Sequence, residues 1–357
     1  TNQPRRIVLA VIMSLNEGVT AIVARRTGEK DAQSANRCLK QCIILSAVLT
    51  LIFAGAAAVF ARPLLIFARA GQDIIDDATT YFTILMLGLI FNSLTLTINA
   101  AQRGAGNTKI SMTTNLAANL VNVVFNYLLI GGNWGFPKLG VAGAAIATVI
   151  GNLCAVLYFL AVVLKRSRIL SVSLRSWKIP PAYVGQILGI GIPAAIVNIM
   201  SSVSTVLINQ FLLPYGNDKI AAMGLATKVS MIVLLVLTGL AFGGQPLFGY
   251  YFGAGDKERL SQLLKFCLRF ISAVALALSA LVFAFAPLLM RCFMSDETIV
   301  TQGALMLRWQ VTSMVFVGIV LLMTIVFQSA GKVVGSFLLS IGRQGVIFLA
   351  VILIAYF

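Results

Sequence analysis

Ten apolar stretches, each about as long as a bilayer is thick, alternate along this chain with short polar segments; they lie at roughly 7–24, 41–61, 81–101, 110–131, 140–164, 184–213, 220–250, 266–290, 303–329 and 336–357. A spanning helix needs ~20 predominantly apolar residues. Barrel strands would instead alternate polar and apolar positions over ~10 residues, and these runs do not alternate. Helices remain as the way to satisfy backbone groups in lipid. The pattern predicts an all-α polytopic membrane protein with about ten helices.

Composition agrees with that pattern. Of 357 residues 59% are hydrophobic and 11% charged, against ~25% charged in a soluble domain. So few charges do not coat a water-facing surface of this size. The net charge of +16 invites a nucleic-acid reading, but its distribution argues otherwise. Eighteen of the 27 Lys and Arg fall in every second loop, at 25–40, 102–109, 165–178, 257–269 and 332–343. The alternate loops, with the N-terminal stub, hold seven basic residues and six of the eleven acids. By the positive-inside rule the basic loops are cytoplasmic. This predicts a multi-pass protein of the plasma membrane. Arg5 and Arg6, at the outer end of the first span, are the exception.

The chain repeats itself. Residues 15–42 and 240–267 share seven identities in 28 positions at an offset of 225, among them Gly28/Gly253, Asp31/Asp256 and Cys42/Cys267. Ala61-Arg62-Pro63-Leu64-Leu65 then matches Ala286-Pro287-Leu288-Leu289, and Gln102 pairs with Gln328. Both copies run in the same direction through the membrane, so they are parallel repeats about an axis along its normal. That is a secondary-transporter architecture. It predicts an N-terminal lobe at 1–165 lacking its first helix, a basic cytoplasmic linker at 166–182, and a C-terminal lobe at 183–357 lacking its last helix. The intact protein is expected to have twelve spans.

Chemistry is sparse. Gly104-Ala105-Gly106-Asn107-Thr108-Lys109 has the wrong spacing for a phosphate-binding loop. There is no His among the 357 residues, and the five cysteines form no metal-binding set. Cys38 and Cys42 share a helix face without a second pair to complete a site. No catalytic constellation, no cofactor and no ATPase engine is predicted, so transport would run on an ion gradient.

Glu17 is the only acid inside an apolar stretch, and an intramembrane carboxylate is a functional candidate by default. It would bind a proton, a cation or a cationic substrate; the alternative is a Glu held neutral by a neighbour or facing water. Asn115, Asn119, Asn122 and Asn126, spaced 4, 3 and 4, form one helix face. Asn198, Ser202, Thr205 and Asn209 repeat that spacing. The two faces either line a cavity or bond neighbouring helices, each such bond contributing only ~0.6 kcal/mol. Gln102 and Gln328 join them as cavity candidates. Lys228 and Arg308 are the cations deep in spans; Lys228 either snorkels to the interface or pairs with a carboxylate. Small residues at Gly140, Gly143, Ala144, Ala147 and Gly151 read as helix packing.

The run Gln102-Arg103-Gly104-Ala105-Gly106-Asn107-Thr108-Lys109 leads into Asn122 and Asn126. It is followed by Leu139-Gly140-Val141-Ala142-Gly143-Ala144-Ala145-Ile146-Ala147-Thr148. In the second half stand Gly244-Gln245-Pro246-Leu247-Phe248-Gly249 and Phe252-Gly253-Ala254-Gly255-Asp256. With these the whole chain resembles the multidrug and toxic compound extrusion (MATE) family. The resemblance implies two six-helix lobes, a V-shaped central cavity and a monomer. It implies antiport of drugs, often organic cations, against Na⁺ or H⁺. Some members use a carboxylate on the first helix, and others acids on the seventh or tenth. Spans 184–213 and 303–329 contain none, and a subgroup has an acid where Asn126 stands. Glu17 is then the coupling candidate. The alternative is a flippase for lipid-linked saccharides, which would need a cavity rich in Arg and Lys; only Lys228 and Arg308 are available.

Overall fold

A computed structural model of the chain describes residues 18–63, 75–166, 196, 200, 203–205, 207–208, 210–294 and 296–342. Among them there is helix and turn but no strand. The chain divides into two compact units, Thr1–Ala195 and Ile196–Phe357. Among the described residues six helices are long and apolar enough to span a membrane, or seven if one bent pair counts as a single span.

In the first unit a helical stretch over 18–28 precedes α1 (Ala32–Val59), α2 (Ile75–Gly104), α3 (Thr108–Gly131) and α4 (Gly140–Arg166). Asp31 starts α1 by accepting a hydrogen bond from the Ser34 amide at 2.9 Å, which satisfies one of the free N–H groups of the first turn. Gly132, at φ 71°, stops α3 and returns its N–H to the Leu128 carbonyl at 3.1 Å. The α1–α2 contact is built on Ala54, Ala57, Phe82, Met86 and Leu89. On α4 the small residues do what their spacing predicts. A Cβ on Gly143 would meet the Leu129 carbonyl oxygen at 2.6 Å, and one on Gly151 the Ala118 carbonyl oxygen at 2.8 Å. Both carbonyls belong to α3, so glycine lets the two backbones approach closely.

The second unit contains α5 (Asn217–Ala254), α6 (Lys257–Ala284), α7 (Ala286–Arg291), α8 (Glu297–Thr312), α9 (Met314–Ser329) and α10 (Val333–Ile341). Its core runs along α5 at Val229, Val233, Leu237 and Ala241, a four-residue spacing that keeps them on one face. Ile271, Leu307, Val311 and Leu322 close on that face. Large apolar side chains on the outside, such as the stacked pair Phe266 and Phe270 on α6, are exposed and suited to lipid.

Two predicted spans are interrupted. The stretch at 266–290 is α6, which begins earlier at Lys257 and ends at Ala284, followed by the separate six-residue α7 with Pro287 in its first turn. Proline suits that position because the N–H it lacks has no partner there. The stretch at 303–329 is α8 and α9, bent by 41°. Thr312 and Ser313 each turn a hydroxyl back, to the Arg308 and Gln310 carbonyls at 2.8 Å. Such back-bonding bends helices.

The repeat is visible in backbone geometry. α1 and α6 are both 28 residues long, and their ends fall at the same offset of 225. Phe60 and Phe285 occupy the C-terminal cap positions with the same φ of −95°. One pairing from the sequence is corrected. The turn after α2 is closed by the Gly106 and Asn107 amides onto the Arg103 and Gln102 carbonyls. The turn after α9 is closed by the Gly331 and Lys332 amides onto the Gln328 and Phe327 carbonyls. Gln328 is therefore the counterpart of Arg103, one residue away from the match made on side-chain identity.

Candidate substrate and ion site

The first unit carries a polar seam between α2, α3 and α4. Asn126 donates to the Asn122 side-chain oxygen at 2.9 Å. Asn122 donates to the Thr148 hydroxyl at 3.2 Å, and that hydroxyl donates to the Ala144 carbonyl at 3.0 Å. One turn-pair earlier Asn115 accepts from Asn99 of α2 at 3.0 Å. Asn119 stands exposed on the same helix. Three of these four amides reach neighbouring helices or each other.

A second layer of the seam was not foreseen. Asn92 on α2 donates to the Asn152 side chain on α4 at 3.3 Å, and Thr95 donates to the Asn152 carbonyl at 3.3 Å. Asn92, Asn152 and Thr148 line a small cleft with Leu85, Gly88 and Val149. Between α1 and α2, Thr97 donates to Ser46 at 3.1 Å. Gln41 and Gln102 are buried, 2% and 1% exposed, and neither side-chain amide has a hydrogen-bond partner among the described residues. A buried amide left unsatisfied costs about 1–3 kcal/mol, so this pair of helices holds polar capacity that water or a ligand can use.

In the second unit the polar centre is Gln310 on α8. It accepts from the Ser230 hydroxyl at 2.8 Å and faces Thr227 Oγ1 at 3.4 Å and Met223 Sδ at 3.1 Å, all on α5. The signal was present in the sequence, since Gln310 is the only amide side chain between 303 and 327. Lys228 sits exposed beside this cluster and makes no ion pair among the described residues. Arg308 is engaged: its Nε donates to the Phe283 carbonyl at 3.2 Å and its guanidinium lies 5.2 Å from the Phe283 ring centroid. It occupies the C-terminal end of α6, where free carbonyls favour a cation. Gln328 is buried at the end of α9, and Thr205 is exposed. Glu17, Asn198, Ser202 and Asn209 lie outside the described residues.

The two units therefore present neutral amide and hydroxyl groups within their spans. Such oxygens can solvate a cation or accept hydrogen bonds from a substrate, but they do not titrate. Among the described residues no carboxylate lies within the interior of a span, and no cluster of three or more His, Cys, Asp or Glu could hold a metal.

Comparison with known proteins agrees with this arrangement. The MatE family model matches residues 2–128 and 193–354. Multidrug export protein MepA of Staphylococcus aureus is 28% identical over 351 residues, covering 97% of this chain and 76% of that protein. The protein of the same name from Staphylococcus saprophyticus is 30% identical over 285 residues, covering 80% of this chain and 62% of that protein. Among solved structures, an outward-facing multidrug resistance MATE family transporter of the MOP superfamily superposes with a TM-score of 0.88 at 22% identity. The match covers 95% of this chain and 75% of that one, and at this identity it speaks for the fold alone. With the family model spanning both units and the fold agreeing, the chain belongs to the MatE family: it is a multi-pass helical membrane transporter and not an enzyme.

Proposed function

We propose that this protein exports small organic compounds, many of them cationic, from the cell by antiport against Na⁺ or H⁺. It works as a monomer in the plasma membrane with its basic loops on the cytoplasmic side. The two repeats are its two lobes, 1–165 and 183–357, joined by the linker at 166–182. The observation that carries this reading is the family match across both halves, supported by relatives that bear the name of multidrug export proteins. The amide seams at Asn115, Asn122 and Asn126 and at Gln310 supply neutral, adaptable hydrogen-bonding surface suited to varied substrates. Because amides do not titrate, coupling to H⁺ falls to a carboxylate, and Glu17 is the one this sequence offers within a span. The engagement of Arg308 by Phe283 leaves Lys228 alone as a deep cation, too little for a pyrophosphate-bearing lipid.

The test is efflux of a fluorescent organic cation from cells, and its uptake into inverted vesicles under an imposed pH or Na⁺ gradient. Transport should follow one of the two gradients, and Glu17→Gln should lose most of that dependence. Transport indifferent to both gradients would overturn antiport. Gradient-driven transport at the wild-type rate by Glu17→Gln would remove Glu17 from the coupling role.

A further inference from the structure

Cys38 and Cys42 lie one turn apart on α1, buried at 0% and 2% exposure, with their sulfur atoms 3.9 Å apart. A disulfide does not suit this pair. Side chains four residues apart on a helix hold their Cβ atoms about 5–6 Å apart, whereas a disulfide draws them to about 3.5–4.5 Å. Closing one would require unwinding α1. A single larger atom that bonds both sulfurs fits the gap with small side-chain rotations and an intact helix. The atom must be soft to prefer sulfur, and two thiols must suffice for it.

We infer that Cys38 and Cys42 form a bidentate site for trivalent organoarsenicals. With an arsine oxide, R–As=O, the two S–H bonds and the As=O bond break and two As–S bonds form. Both protons leave with the oxygen as water, and arsenic stays trivalent throughout, so no oxidant or reductant is needed. The reagent is uncharged and lipid-soluble, which suits a buried pair on a spanning helix. The repeat supplies an internal control. The counterpart of Cys42 is Cys267, but the counterpart of Cys38 is Leu263, so the second unit holds a single thiol at the matching place.

The site is tested on the full chain, purified in detergent, with phenylarsine oxide and intact mass measurement. One arsenical per chain, less one water, should bind, survive a monothiol wash and be stripped by 2,3-dimercaptopropanol. After denaturation in detergent, two fewer thiols per chain should react with maleimide. Cys38→Ser and Cys42→Ser should each abolish the wash-resistant adduct. The triple variant Cys154→Ser, Cys267→Ser, Cys292→Ser should keep it. Absence of the adduct in the wild type, its persistence in either single variant, or its loss in the triple variant would overturn the site. If a single variant fails to fold, the triple variant still decides: its two remaining thiols are either both protected or not. The outcome is independent of the transport reading, which it neither needs nor tests.

Discussion

α2 and the α8–α9 pair hold the same place in the two halves, yet one is a continuous helix of 30 residues and the other bends by 41°. The helix pairs before them match closely: α1 and α6 share their length, their Asp cap and their Phe terminus. The difference begins at one aligned position. Residue 88 is a buried glycine, and a Cβ there would overlap Val149 of α4. Its counterpart, Ser313, is exposed and turns its hydroxyl back onto the Gln310 carbonyl. So one copy of the helix is held straight under a close neighbour, and the other is opened by its own side chains. The ends of the repeat are set by local capping, while the middle answers to whatever packs against it.

The strongest way to break this comparison is to place the same bulky side chain at both positions. Gly88→Leu forces a side chain into Val149, and overpacking typically costs about 1–3 kcal/mol. Ser313→Leu places an apolar group at an exposed site, where an effect within about 0.5 kcal/mol is expected. The thermal midpoint in detergent, followed by size-exclusion fluorescence, should fall clearly for Gly88→Leu and little for Ser313→Leu. Equal falls would mean that the bend, like the straight helix, is held by packing.

Gln310 offers a second, smaller test, because it ties the bent copy to α5. A double-mutant cycle on Gln310→Leu and Ser230→Ala should give a coupling of about 0.6 kcal/mol, the average for hydrogen bonds between membrane helices, and no more than about 1.7 kcal/mol. No coupling would show that this hydrogen bond does not help to hold α8 against α5. This cluster also marks where sequence reading stops. The spans were legible because twenty apolar residues have few other uses, and the Asn115–Asn126 face because its 4, 3, 4 spacing follows the helical period. Their partners were not legible, since Asn99, Thr148 and Asn152 become neighbours only through the register of one helix on another. The bend at Ser313 was hidden for the same reason, as serine in an apolar run is ambiguous until its hydroxyl is placed. Matching Gln102 with Gln328 failed differently: the turn fixes register through backbone bonds that a side-chain identity does not report.

The shared turns can be sharpened in turn. Lys30 has φ 60° and its counterpart Gly255 has φ 71°, so the same left-handed residue precedes both Asp caps. A side chain there costs about 1 kcal/mol or more. Lys30→Gly should therefore raise the stability of the first unit by about 1 kcal/mol, and Gly255→Lys should lower that of the second by a similar amount. Hydrogen exchange of the amides in α1 and α6 would read each helix separately. A fall in protection of α1 in Lys30→Gly would mean that the lysine side chain contributes more than its backbone strain removes.

The smallest difference lies in the caps themselves. Asp31 is held below its usual 3.8 by the Ser34 side chain first and the Ser34 amide second, with the positive charges of Arg26 and Arg37 adding to them. The positions matching those arginines in the second half are Tyr251 and Gln262. The sign follows from linkage: a carboxylate with a lowered native pKa contributes stability that is fully present above its unfolded value and is lost as pH falls through the native one. Asp31→Asn keeps a side-chain oxygen for the cap and removes only the charge. Its thermal midpoint should sit slightly below that of the wild type from pH 7 down to about pH 5, and the two should converge as pH falls below 3.8. A gap that persists at pH 3 would assign the effect to cap geometry and not to charge. The first copy would then differ from the second in its arginines without drawing stability from them.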